Sequence, residues 1–439
     1  MTSRPSIPAP TPAREAAFAV LYRAEAADAF VSALLFRTLE RSSLSDVDRA
    51  LTTTVVLGVL RHRARLDHAL AALLSRPLET LPDAIRTVLR MGAFEIMDLD
   101  RVPAPAAVSE AVALARRHGH AGTAGLVNAV LRRLAAEGPA PPPDAGTDPI
   151  GHLSVVHSHP RWLVARWVAR WGMEEAQALL AANARPAPAT LRVNTLRTTR
   201  DDLIGLLRAR GLDAGPGMVP EAVRVHGSLI GRLPLYEQGL CAPQDEGAML
   251  VVHALADAAI PGATVVDACA APGGKSLHLA ALMANRGRVL AVDVHPGKAQ
   301  ALARRAVAFG ATCVEVCNMD AQEIGQRWPG AADAVLVDAP CSGLGTVRRR
   351  PEIKWRIDEQ SLARGARKQQ AILRGASGAV RPGGTLVYSV CSNEPEEGPE
   401  VIREFLSAQP SFASVRFEVH LLPHRHGTDG FYIARLRRR

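Results

Sequence analysis

Lysine is close to missing from this chain. Of 52 cationic side chains in 439 residues, only Lys275, Lys298, Lys354 and Lys368 are lysine, and the rest are arginine. Such usage, together with abundant alanine, fits nucleotide bias in a genome, and against it a retained lysine stands out. Long apolar runs are lacking too: no uncharged stretch approaches the ~18 residues that cross a bilayer. Met1–Pro12 is proline-rich without an apolar core, so no secretory signal or membrane partner is expected and the chain reads as cytoplasmic. Cysteine is sparse. Cys241, Cys269, Cys313, Cys317, Cys341 and Cys391 include no Cys-x-x-Cys pair, and none stands beside histidines at zinc spacing, so no metal is expected. A disulfide framework is improbable in a cytoplasmic chain of this size, which leaves packing or reactive thiols.

What is present is a globular composition, 48% hydrophobic and 22% charged, in a length that suits about three domains of roughly 150 residues. The net charge of +9 points toward nucleic acid. Residues 13–137 carry apolar side chains at three-to-four spacing, as in VLGVLRHRARLDHAL and AVSEAVALARRHG, with breaks at Pro77, Pro82 and Pro103. They read as an all-helical domain, whose arginines form either an RNA-facing surface or solvated helix faces. A proline-rich linker, GPAPPPDAGTDP at 138–149, follows. Residues 150–240 read as a small α/β module made basic by Arg161, Arg166, Arg170, Arg185, Arg192 and Arg197, an RNA-binding candidate. Its Trp162, Trp167 and Trp171 suit base stacking or, more commonly on a helix, core. From 241 to 439 apolar strands alternate with helices and close on a strand pair, the pattern of a doubly wound α/β Rossmann-like domain.

The pivot of that last domain is VVDACAAPGGKS, Val265–Ser276: a strand, a glycine turn and a helix. Such a turn lets a ligand approach the backbone closely. A phosphate loop would need glycine at Cys269, and Pro272 removes an amide donor, although Gly274-Lys275-Ser276 matches that motif's end. The dinucleotide pattern Gly-x-Gly-x-x-Gly is absent. Four acids close successive strands: Asp267, Asp293, Asp320 and Asp338. Asp293 is spaced to grip ribose hydroxyls, and Asp320 to reach an adenine edge. A turn without phosphate chemistry beside a series of acids favours S-adenosylmethionine over NAD. Cys341 (DAPCSG) and Cys391 (YSVCSN) also fall at strand ends, where buried packing or a nucleophile are the alternatives. Methylating carbon 5 of a cytosine needs such a thiolate, because adding it to carbon 6 turns carbon 5 into a carbon nucleophile.

DACAAPGGKS, AVDVHP, DAPCSGLGTVRRRPEIKW, YSVCS and GFYIARL together resemble the RNA 5-methylcytosine methyltransferases of the NOL1/NOP2/Sun family. VLGVLRHRARLDHAL and GLVNAVLRRL resemble the NusB-like domain fused to its bacterial Sun/RsmB branch, and SHPRWLVARW, LRVNTLR and APQDEGAML resemble the joining module. The resemblance spans nearly the whole chain. It implies a cytosine of 16S ribosomal RNA as substrate; the RNA is expected free or in an early assembly intermediate, and the enzyme is expected to be a monomer. By it Cys391 is the attacking nucleophile, Cys341 the thiol that helps release the product, and Asp338 a contact to both cofactor and base. Cys269, Ala270, Ala271, Pro272, Gly273, Gly274 and Lys275, with Asp293 and Asp320, would hold S-adenosylmethionine, and Lys275 also approaches the reacting groups. Val390 departs from the family's threonine before its nucleophile. Arg348, Arg349, Arg350 and Lys354 are expected at RNA phosphates, with a solvated charge run as the alternative. Rival readings are a transfer-RNA methyltransferase of the same family, a non-catalytic RNA-binding factor and a nucleotide hydrolase.

Overall fold

The computed structural model describes residues 10–26, 31–226 and 234–439. They form two compact units. One holds the described residues up to Arg185 together with Val347–Arg356, and the other Pro186–Thr346 and Ile357–Arg439.

The first unit is helical. Its main helices are Pro12–Ala26, Val31–Arg41, Asp46–Arg61, Arg63–Ala71, Asp83–Asp98, Ala104–His118, Ala121–Glu137, Pro149–Val156, Arg161–Trp171 and Met173–Asn183. Pro82 and Pro103 each stand immediately before a helix, where a missing N–H costs nothing. Ser45 accepts the Asp48 N–H and Asp148 the Gly151 N–H, satisfying donors at two other starts. Val55, Leu66, Leu70, Leu89, Leu114 and Leu131 share one core, each contributing about 1.5–3 kcal/mol by burial. Gly58 permits the close helix contact, because a Cβ there would lie 2.0 Å from the Phe94 ring. Trp167 is buried, so the core reading holds for it.

Val347–Arg356 completes this unit by finishing a helix. The last carbonyls of Asp46–Arg61 have no partners within the helix. Trp355 Nε1 donates to Leu60 O at 2.7 Å and Lys354 Nζ to Arg61 O at 2.9 Å. In return Arg61 Nη2 donates to Arg348 O at 3.1 Å. Lys354 is fully buried, and burial, with the Arg61 charge adding, pushes its ammonium well below the ordinary lysine range. Arg348 is buried as well, while Arg350 is exposed. The placement of Arg348 and Lys354 at RNA phosphates is therefore corrected: in this unit both are turned inward, and Lys354 satisfies a helix end.

The second unit carries two sheets. The smaller contains β1 (Ala189–Val193), β2 (Asp213–Pro216), β3 (Ala222–His226) and β4 (Cys241–Pro243), antiparallel in the order β2-β3-β1-β4. Leu203 and Leu207 of helix Arg200–Arg208 share a core with Leu191, Val193, Val223 and Val225. Arg192 lies within β1 and is 1% exposed, its Nε donating to Gln244 Oε1 at 2.7 Å. It cannot serve the basic surface that the sequence assigned to it.

The larger sheet contains β5 (Thr264–Asp267), β6 (Arg288–Asp293), β7 (Val314–Asn318), β8 (Ala332–Asp338), β9 (Val380–Val390), β10 (Phe412–Leu421) and β11 (Phe431–Arg438). Its order is β10-β11-β9-β8-β5-β6-β7, parallel from β9 through β7, with β11 and β10 added antiparallel. The chain runs outward from β5 to β7, then returns to β8 on β5's other side. That makes the β5/β8 boundary the switch point where ligands of such sheets bind. Alternate residues feed two cores: Val266, Val335, Val337 and Leu386 on one face, Val265, Leu336 and Val387 on the other. The expected Rossmann-like architecture with a terminal strand pair is borne out. Within this unit Glu221, which precedes β3, ties the small sheet to the larger: its Oε1 lies 2.7 Å from His253 Nε2 and 2.6 Å from His278 Nε2. Burial pushes the His278 imidazole down to about 4. Among the described residues no helix is long and apolar enough to cross a membrane.

Candidate active site

β5 runs from its β-branched start directly into the glycine loop. Ala268 N–H donates to Leu336 O and Ala270 N–H to Val292 O, fastening the loop to the neighbouring strands. The Ala271–Pro272 bond is cis, and Gly273 has φ +104°, a left-handed conformation that side chains resist. A Cβ at Gly273 would also strike Leu302 Cδ1 at 2.2 Å. Helix Gly274–Leu282 then begins. A Cβ at Gly274 would meet nothing nearer than Gln244 Oε1 at 3.6 Å, so the backbone stays approachable there.

Asp293 closes β6 and faces this loop. Its Oδ2 accepts the Ala271 N–H at 3.2 Å and its Oδ1 the His295 N–H at 2.9 Å. A carboxylate holds about four lone pairs, so two bonds leave acceptors free for vicinal hydroxyls. Asp320 behaves differently. β7 ends at Asn318, two residues earlier, and Asp320 caps the following turn through the Gln322 N–H at 2.9 Å. Its hydrogen bonds go to Gln322, and none joins it to the loop. Asp267 is 1% exposed, takes the Ser276 hydroxyl at 2.6 Å, and is pushed up to about 6 by burial above all.

The ends of β8 and β9 bring the two singled-out cysteines together, with Sγ atoms 3.4 Å apart. Asp338 Oδ1 accepts the Ser389 hydroxyl at 2.7 Å, and Oδ2 accepts Lys275 Nζ at 2.5 Å. Lys275 Nζ also lies 5.7 Å from the centre of the Phe431 ring. Burial works against the Lys275 ammonium, but Asp338 outweighs it and Cys391 and Asp267 add to it, so the group sits above the ordinary lysine range. The Cys341 thiol is pushed well up, first by its hydrogen bond with Cys391, then by burial. Cys269 is held up as well, by burial and then by Asp267, Asp338 and Asp293, which marks it as loop packing and not as a thiolate. Burial likewise raises Cys241, to about 11, and Cys313 and Cys317.

Three family models match the chain: NusB family over residues 11–136, an RsmF/B-like ferredoxin-like domain over 159–229, and 16S rRNA methyltransferase RsmB/F over 254–437. A probable ribosomal RNA small subunit methyltransferase B of Bacillus subtilis is 36% identical across 98% of this chain and 99% of its own length. The chain belongs to the RsmB family of ribosomal RNA small subunit methyltransferases. A family member named ribosomal RNA small subunit methyltransferase B from Pseudomonas syringae pv. tomato is 33% identical over 89% of each chain. The crystal structure of PH0851 covers 97% of this chain and 98% of its own with TM-score 0.83, at 24% identity, which speaks for the shared fold.

Against this RsmB-family background, the sequence reading reached Cys341, Cys391, Asp338 and Lys275, which the structure gathers in one place, and the loop with Asp293, which it gathers beside them. It did not single out Ser389, which donates to Asp338, or Ser342, Gln369 and Glu397, which hydrogen-bond to one another beside Cys341. Ser389 was within reach, since it lies near the end of β9, two residues before Cys391, which follows the strand directly. Glu397 gave no signal, being one of several acids in the run EPEEGPE.

Proposed function

We propose that this RsmB-family protein transfers a methyl group from S-adenosylmethionine to carbon 5 of a cytosine in 16S ribosomal RNA, through a covalent Cys391–RNA adduct. The observation that carries the reading is the pair of thiols 3.4 Å apart beside the Asp338–Lys275 pair. The glycine loop fits the cofactor: Gly273 and Gly274 leave its backbone approachable, and Asp293 keeps acceptors for ribose hydroxyls. Cys269, Ala270, Ala271, Pro272 and Lys275 complete that wall, with Asp320 toward the adenine. When bound, the cofactor supplies an electrophilic methyl on a sulfonium.

The protein's own groups do the rest. Cys391 thiolate adds to carbon 6 of the ring, and the displaced electron pair makes carbon 5 nucleophilic. Asp338, steered by Lys275 and Ser389, meets ring nitrogen 3, where a proton delivered from the Lys275–Asp338 pair neutralises the charge that develops on addition and is returned when carbon 5 takes the methyl. Carbon 5 gains the methyl, then gives its proton to a base, with water as the final acceptor. That electron pair restores the double bond to carbon 6 and expels Cys391 as thiolate, with Cys341 assisting release. The base must leave its stack to reach Cys391, so a loop or opened segment of rRNA, free or in an early assembly intermediate, is the substrate. The NusB-like region (13–137) and the module at 150–240, joined by the linker at 138–149, would hold that RNA, while 241–439 does the chemistry. The enzyme acts as a cytoplasmic monomer without metal or membrane.

Labelled methyl transfer to 16S rRNA and separately to tRNA, with wild type and Cys391→Ala, tests this. Label in 16S rRNA as 5-methylcytosine, lost in the variant, is expected. Label only in tRNA overturns the substrate, and label retained by Cys391→Ala overturns the nucleophile.

A further inference from the structure

Two thiols 3.4 Å apart at neighbouring strand ends look interchangeable in sequence, yet the structure surrounds them unequally. Cys341 is fixed from both sides. Before it, Pro340 O accepts Gln369 Nε2 at 3.1 Å. After it, Ser342 donates its N–H to Glu397 Oε1 at 2.7 Å and its hydroxyl to Oε2 at 2.6 Å. Gln369 Nε2 also donates to Glu397 Oε1 at 3.2 Å, and Tyr388 Oη donates to the Glu397 backbone carbonyl at 2.5 Å. Glu397 is 0% exposed and forms no ion pair among the described residues. Three donors on two oxygens is the pattern of a carboxylate that only accepts. Gly365 keeps the space tight, since a Cβ there would come within 2.9 Å of Glu397 Oε1. On the other flank the cation is Lys275, held at the end of β8 by Asp338 Oδ2 at 2.5 Å, with the Cys391 sulfur among the groups that favour its charge.

We propose that Glu397 is the positioning residue that gives the two thiols different roles: it clamps the Pro340–Ser342 turn and keeps Cys341 a protonated hydrogen-bond donor toward Cys391. The proposal deepens the reaction above and rests on it for its purpose. A negative charge anchored beside the Cys341 turn disfavours a thiolate at Cys341. Cys391, flanked by the Lys275 ammonium and offered the Cys341 S–H, is then the sulfur left to attack. The direction of the Cys341 shift agrees, with Glu397 a contributor behind Cys391 and burial.

The test needs neither RNA nor methyl donor, so it fails or succeeds separately from the methylation assay. The full chain is alkylated with iodoacetamide from pH 6 to 10, and each cysteine-bearing peptide is followed by mass spectrometry. In wild type Cys391 should react well ahead of Cys341. Glu397→Gln, nearly the same shape, should accelerate Cys341 about tenfold at pH 8, the equivalent of one pKa unit in thiolate fraction, and leave Cys391 within about twofold. Glu397→Asp, which keeps the charge, should restore most of the difference. Should Glu397→Gln not fold, Ser342→Ala cuts the clamp while sparing the carboxylate, and Cys341 alone should quicken by about threefold. An unchanged Cys341 profile, or equal acceleration at both thiols, overturns the proposal.

Discussion

Replacing Asp267 with asparagine should stabilise the protein, and the gain should depend on pH. Asp267 ends β5 in a fully buried position, hydrogen-bonded to the Ser276 hydroxyl. Burial lifts it to about 6 against an ordinary 3.8, with Asp338 adding and Ser276 and Lys275 opposing. Below pH 4 the folded and unfolded chains both hold the proton. Between about 4 and 6 the unfolded chain releases it while the folded chain retains it, so stability falls as pH rises. Above 6 the loss is complete. A difference from 3.8 to 6 at 1.36 kcal/mol per unit amounts to about 3 kcal/mol. Asparagine keeps an acceptor for Ser276 and never ionises. Urea unfolding of wild type and Asp267→Asn at pH 4, 5, 6 and 7 should give similar stabilities at pH 4. The variant's advantage should grow to about 2–3 kcal/mol by pH 7. An advantage that does not change with pH, or a variant less stable at pH 7, would refute the reasoning.

Three further outcomes are expected. Cys341→Ala should accumulate a slow-migrating RNA–protein band on denaturing gels, because attack survives and release fails; no band would count against its release role. Asp293→Ala should weaken S-adenosylmethionine binding by about 1–3 kcal/mol in calorimetry, through lost ribose hydrogen bonds, and unchanged affinity would move that contact elsewhere. Lys354→Met removes the donor to Arg61 O, and its stability relative to wild type should fall further as pH rises from neutral toward 10, since the unfolded lysine binds a proton that the buried one resists; a pH-independent difference would mean that Lys354 is charged when folded.

Features that depend on local pattern were legible in the chain. Strand-end position made Asp267, Asp293 and Asp338 readable, because a strand followed by a turn is visible in hydropathy and turn chemistry alone. Asp320 carries the same signal and in addition caps the following turn through Gln322, which hydropathy does not show. Short strands such as Asp213–Pro216 were invisible, since Asp-Ala-Gly-Pro has little strand propensity and exists as a strand by pairing with β3. The run Arg348–Arg350 with Lys354 misled for a related reason. Charge runs are normally solvated, and nothing nearby in sequence reveals that Leu60 and Arg61, nearly 300 positions earlier, need donors for their carbonyls. The choice between two equivalent-looking cysteines was likewise out of reach, because Glu397 acts through Ser342 and Gln369 on separate elements.

The late capping of helix Asp46–Arg61 has a consequence in time. Leu60 and Arg61 are synthesised early, but Lys354 and Trp355 follow roughly 300 residues later, which at about 5–20 residues per second is about 15–60 s of translation. Through that interval the nascent helical unit has to hold together with the end of one of its core helices uncapped. Its completion is thereby tied to synthesis of the turn that carries Cys341, so a chain that stops short of the catalytic turn also leaves its first unit unfinished.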